Sequence, residues 1–166
     1  MPEDLFAVEK ILTILAETPV RLTALTDGLP LAPLHTPPAP GEWSANDILA
    51  HLRACADKWG DYMAWILTQD HPIFQAVNPR TWIKKTDYPD QAFHVSFRAF
   101  AAQREDLLAM LRPLTPEQCA RAATVTGAGR PVERTVHNYA DRMARHERPH
   151  VGQIERTIEA VRALKP

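Results

Sequence analysis

The sequence predicts an all-α protein built as a four-helix bundle, and three observations predict it. Four long segments carry apolar residues at spacings of three and four, the period of a helix with one buried stripe. No segment sustains the period-two alternation of a half-buried strand. Four amphipathic helices of similar length bury their stripes most simply against one another.

The first segment spans about 4–27, with Leu5, Val8, Leu12 and Leu15 on its stripe. Pro19 either kinks this helix or starts a second short one that continues through Leu22 and Leu25. The stretch 29–41 holds five of the fifteen prolines and reads as an ordered or extended connector within one domain. The second segment opens at EWSANDILAHL. Ser44 is placed to cap it, Asp47 stands at the capping-box position, and Trp43 and Ile48 form a hydrophobic staple. Its stripe runs on through Leu52, Cys55, Trp59, Met63 and Ile66. The third segment, about 90–112, aligns Phe93, Phe97, Phe100, Leu107 and Leu111. Thr115-Pro116-Glu117-Gln118 then reads as the cap and first turn of a short helix, and TGAGRP (126–131) as a breaker. The fourth segment, about 131–164, has the stripe Val132, Val136, Tyr139, Met143, His146, His150, Ile154, Ile158 and Val161.

A length of 166 residues suits one domain with a core that needs no staples. Hydrophobic content of 45% and charged content of 23% are those of an ordinary globular chain, and a formal net charge of −1 gives no global attraction to nucleic acid or an anionic membrane. No apolar run approaches the roughly 20 residues that span a bilayer. The acidic start MPEDLFAVEK lacks a signal-peptide pattern, and two cysteines, Cys55 and Cys119, make no disulfide framework. The expected location is cytoplasmic.

The fourth segment contains His146-Glu147-x-x-His150, the spacing of the zinc-protease signature. Seven histidines place about 0.3 such pairs by chance, so the spacing counts only together with its position. Both imidazoles lie on the apolar seam one turn apart, and two buried imidazoles need partners that a metal or a hydrogen-bonded structural pair would provide. The protease reading fails on its surroundings. The residues after His150 continue the same helix and offer no third ligand, Pro149 sits inside the motif, and no strand is predicted to hold a peptide. A third ligand has to come from upstream. His51 lies beside the second stripe, flanked angularly by Ile48 and Cys55, while His94 borders the third stripe and stays an alternative. His137 faces away, and His35 and His71 belong to proline-rich connectors.

Three stretches, LAETPVRLTAL (15–25), PAPGEWSANDILAHLRACADKW (38–59) and RHERPHVGQIERTI (145–158), resemble the DinB/YfiT-like superfamily of four-helix metalloproteins. The Trp-Ser pair before a helix carrying His-Leu, followed by His-x-x-x-His-x-x-Gln-Ile, is specific in combination, and the likeness covers nearly the whole chain in order. The resemblance implies one DinB-like domain over 1–166, an up-down-down-up bundle with long connectors, and frequent homodimers. It implies a divalent metal (zinc, nickel, iron or manganese) held by His51, His146 and His150. Glu147 matches an acidic residue common after the first histidine of the pair, whereas Pro149 departs from the pattern. Relatives include thiol-dependent S-transferases and hydrolases.

Three histidines leave a coordination position open, the pattern of a catalytic site. Such a site would acidify a water or hold a low-molecular-weight thiol as cosubstrate for attack on a small molecule. Glu147 is the candidate for proton transfer. Arg142, one turn before His146, is a candidate anchor for an anionic substrate, and Tyr139 a candidate donor to it. Asp47, one turn before His51, either caps the helix or orients the imidazole. Cys55 is either core or a further ligand. The expected function is a metal-dependent thiol S-transferase or hydrolase of small molecules; the alternative is a non-catalytic stress-related or binding module with a structural or vestigial metal site.

Overall fold

The structure is a computed structural model and describes residues 4–164. Four long helices carry it: α1 (Val8–Thr26), α3 (Ala45–Thr68), α5 (Phe93–Leu111) and α7 (Val136–Ala163). Shorter helices α2 (Leu31–His35), α4 (Pro79–Trp82) and α6 (Pro116–Cys119) sit in the connectors. Around the bundle α7 packs against α1 and α3, and α5 closes the ring by packing against the same two. None of the helices of the described residues is long and apolar enough to cross a membrane.

The long helices start where local chemistry dictates. At α3, the Ser44 Oγ accepts from the Asp47 backbone N–H, and Asp47 Oδ2 accepts from the Ser44 backbone N–H at 2.9 Å, a complete capping box. Thr115 and Gln118 make the same reciprocal pair at α6. Thr135 and Asn138 make it at α7. The expected Pro131 start of the last helix is therefore corrected to Val136.

The residues before it form a small sheet that the sequence reading did not anticipate. Strands β1 (Ile73–Gln75), β2 (Ala122–Thr126) and β3 (Val132–Thr135) lie in the order β1-β2-β3, with β1 parallel and β3 antiparallel to β2. Each is three to five residues long, too short for a period-two signal to stand out. Val132, placed on the helical stripe by its spacing, is 40% exposed on the edge strand β3. Gly127 leaves β2 at φ +96°, where a Cβ would also lie 2.7 Å from Gln75 Cγ.

Pro19 starts no second helix; α1 runs through it. Proline lacks the N–H that would bond the Leu15 carbonyl four residues back. That acceptor is taken instead by Arg104 Nη1 of α5, at 2.9 Å. The third stripe is likewise interrupted in an informative way: between Phe100 and Leu107 the buried position belongs to Arg104, 2% exposed.

The apolar interior falls into two clusters. One gathers Leu15, Cys55, Trp59, Met63, Leu108, Met143 and Ala144, among others. The other gathers Leu22, Ile48, Leu52, Phe93, Phe100, Val151 and Ile154. Each fully buried aliphatic or aromatic side chain here contributes roughly 1.5–3 kcal/mol of transfer free energy. Along α3, His51 stands at the passage from one cluster to the other, and along α7 so do His146 and His150.

Candidate metal centre

The capping box fixes the start of α3, so that His51, two turns on, faces α7. It is buried, with 7% of its surface exposed. Its Nε2 lies 3.1 Å from His146 Nε2. His146 Nε2 in turn lies 3.1 Å from His150 Nε2, and the His51 and His150 ring centroids are 5.1 Å apart. The structure thus brings His51, His146 and His150 together. His94 is elsewhere: its Nε2 donates to the Leu29 carbonyl at 3.0 Å. His137 turns outward and donates from Nε2 to the Phe6 carbonyl at 2.8 Å.

Hydrogen bonding does not account for this arrangement. A ring nitrogen offers one lone pair or one N–H, in the ring plane, so His146 Nε2 cannot make two good hydrogen bonds to two other ring nitrogens. Three nitrogens that instead share one acceptor of lone pairs have no such conflict. Ligands held at roughly 2.0–2.1 Å by a tetrahedral or octahedral ion stand about 2.8–3.4 Å apart, a range that includes the 3.1 Å of the His51–His146 and His146–His150 pairs. The residues present fit a divalent metal.

The protonation states point the same way. Burial, and then repulsion by His150 and Arg80, lowers the His51 pKa to about 4. Burial, and then repulsion by His150, His51 and Arg142, lowers that of His146 to about 3. Both imidazoles are neutral at pH 7 and keep a lone pair to give. His150 is oriented by Gln153, whose amide Oε1 accepts from Nδ1 at 2.8 Å and leaves Nε2 as the free lone pair. Gln153 carries a role not assigned from the sequence, although the spacing of one turn after His150 was a readable signal. His146 Nδ1 is buried with no partner among the described residues.

Cys55 is close, and the donor atoms of His51, Cys55 and His146 lie within 4.8 Å of one another. Its Sγ is 3.7 Å from His51 Nε2 but also 4.0 Å from Nδ1. A sulfur nearly equidistant from the two ring nitrogens lies beside the ring edge, whereas a fellow ligand would lie ahead of Nε2 and far from Nδ1. Burial, reinforced by the Glu147 carboxylate, pushes the thiol up to about 12. The three-imidazole set is the better donor set.

Glu147 follows His146 by about 100° of helical turn and points into the bundle. It is 1% exposed. Arg104 Nη1 donates to its Oε2 at 2.8 Å, Arg104 Nη2 donates to its Oε1, and Thr18 Oγ1 donates to Oε2 at 2.9 Å. Both carboxylate oxygens are occupied. Asp47 is engaged by Ser44 through both its backbone N–H and its hydroxyl.

Tyr139 and Arg142 lie on the wall of an open cleft of about 630 Å³ that His146 also lines. Tyr139 is buried against Tyr62, with ring centroids 5.3 Å apart, and burial pushes its hydroxyl up to about 12. Arg142 is exposed, its guanidinium 5.3 Å from the Trp59 ring, and Trp59 meets His146 edge-on at 5.0 Å.

Comparison with known proteins agrees with this architecture. YfiT from Bacillus subtilis, a probable metal-dependent hydrolase with an unusual four-helix bundle topology, superimposes with a TM-score of 0.78 over 99% of this chain and 93% of its own, at 20% identity. That likeness carries the fold. No curated protein matches the sequence. Residues 14–154, which contain the three histidines and the whole of α3 and α5, match the DinB superfamily, and the chain belongs to it.

Proposed function

We propose that the protein is a divalent-metal enzyme acting on small molecules, as a hydrolase or a thiol S-transferase, with His51, His146 and His150 as its metal ligands. The observation that carries this reading is the convergence of the His51, His146 and His150 rings beside a cleft that His146 lines. A divalent ion bound there would supply a Lewis acid that acidifies water or a thiol and polarises an electrophile. The protein's own groups have narrower tasks. Gln153 holds the His150 ring in the ligating tautomer. Trp59 and Trp43 shield His146 and His51 from water, with Trp43 5.3 Å from the His51 ring. Tyr139 keeps its proton and serves as a hydrogen-bond donor in the cleft.

Glu147 takes no part in proton transfer in this reading, because both its oxygens are already committed to Arg104 and Thr18. Activation of the nucleophile would therefore fall to a bound ion, which suits water and thiols equally. A volume of about 630 Å³ is in the range of small-molecule clefts.

Elemental analysis of the purified protein tests the reading, together with a screen of thiol conjugation and small-ester or amide hydrolysis. One divalent ion per chain is expected, lost in His146→Ala along with any activity found. Wild-type protein that binds no divalent ion at micromolar concentration would refute it.

A further inference from the structure

The surroundings of the histidine cluster carry a charge pattern that no ligand set explains. Two arginines from distant parts of the chain flank the histidines, each lying over a tryptophan that itself packs on a histidine. Arg142 of α7 lies over Trp59, next to His146. Arg80 of α4 lies over Trp43, its guanidinium carbon 5.5 Å from the ring centroid, and Trp43 packs on His51. Both side chains are exposed. Among the described residues neither has a carboxylate partner, in contrast to Arg145, which is paired to Asp141 at 2.8 Å.

Their positions are built. Asn78 Oδ1 accepts from the Arg80 backbone N–H at 2.9 Å and caps α4, with Pro79 in its first turn. Trp82 Nε1 then donates to Asp57 Oδ2 at 3.0 Å and fastens α4 to α3. Asp57 also accepts from Tyr88 and Gln103, so the connector is tied down at several points. Stacking on an indole pre-orients a guanidinium while leaving its N–H fork free for a planar anion. Both cations act electrostatically on the histidine cluster, Arg80 on His51 and Arg142 on His146. Uncompensated positive charge beside a metal site costs binding energy for the cation, so its presence calls for an anion that offsets it.

We infer that Arg80 and Arg142 form a two-sided anion subsite at the mouth of the histidine cluster, and that the substrate is a small molecule bearing carboxylate groups. This rests on the reading of the cluster as a substrate-processing site and adds the class of molecule it admits. Guanidinium forks pair bidentately with carboxylates and would turn the uncharged, reacting part of such a molecule toward the histidines.

The test titrates succinate, and succinamide as its uncharged counterpart, into the purified protein at low salt, followed by calorimetry and by intrinsic tryptophan fluorescence. Each titration is run on zinc-loaded and on metal-free protein, with Arg80→Gln, Arg142→Gln and the double variant. Succinate should bind wild type at least about tenfold more tightly than succinamide in both forms, each single variant should lose about fivefold, and the double variant should lose the preference. The preference should also shrink as salt is raised. Equal binding of the two probes to wild type overturns the proposal. So does a preference that survives in the double variant, since the anion would then be held by the ion alone. Failure to take up zinc would refute the metal reading, yet an arginine-dependent preference in metal-free protein would still uphold the subsite.

Discussion

Cys55 and the histidines behave differently because of where their lone pairs point. The Cys55 sulfur lies beside the His51 ring edge, and its thiol is held protonated by burial. Cobalt-substituted protein should accordingly lack a sulfur-to-metal charge-transfer band, and Cys55→Ser should keep metal affinity within about threefold; a strong band in wild type that Cys55→Ser removes would make Cys55 a ligand. Protons make a second test. His51 and His146 titrate near 4 and 3 in the folded, metal-free protein and near 6.5 when unfolded. Below 6.5 the unfolded chain takes up protons that the folded one refuses. The stability these groups contribute is complete above pH 6.5, falls as the pH drops from 6.5 through 4, and is gone by about 3. Urea denaturation of metal-free protein across that window should show the loss, and His146→Gln should flatten it. The seam position of His146 and His150 was readable from helical spacing, and His51 only as a neighbour of its stripe; choosing His51 over His94 needed the contact between α3 and α7, which spacing alone does not contain.

The helices meet through a buried polar relay that runs from α1 to α5 to α7. Proline at 19 frees the Leu15 carbonyl, Arg104 occupies it, and the same guanidinium binds Glu147, with Thr18 completing the carboxylate. Removing one partner of such a pair leaves the other charge buried and unanswered, a loss of about 3–5 kcal/mol. Glu147→Leu should therefore lower stability by that much, whereas Glu147→Leu combined with Arg104→Met should recover most of it; chemical denaturation of the three proteins decides. An equal loss in the single and double variants would show that the charges do not act as a pair. The starts of α3 and α6 were legible because a capping box is local, written within four residues. The relay was not, since it joins positions up to 129 residues apart, although a charged residue between Phe100 and Leu107 on an apolar seam was a sign that some partner existed. The short strands escaped for a related reason, as β1 pairs with β2 across 51 residues and neither has a pattern long enough to stand alone.

At the level of the whole molecule, the histidines stand where the two apolar clusters meet. Four-helix architecture was legible from the number and period of the stripes, because burying a stripe is a demand each helix makes separately. The division of the interior into two bodies was not, since it depends on which stripes face each other at each level. That division has a dynamic consequence. Without an ion, three imidazoles with nothing to share form a weak joint, and the two halves of the interior should open as separate cooperative units. A bound ion would clamp α3 to α7 at that joint and oblige them to open as one, because ligand binding stabilises only states in which the site is intact. Native-state hydrogen exchange would register this as a merging of opening energies: amides around Met63 and Met143 and those around Leu52 and Ile154 should exchange with distinct free energies in metal-free protein and with a common, higher one after loading. Separate energies that persist in the loaded form would mean the joint is not a clamp. Seen this way, an ion bound there would double as a hinge pin, and the concentration of available metal would become a setting for how rigid the molecule is.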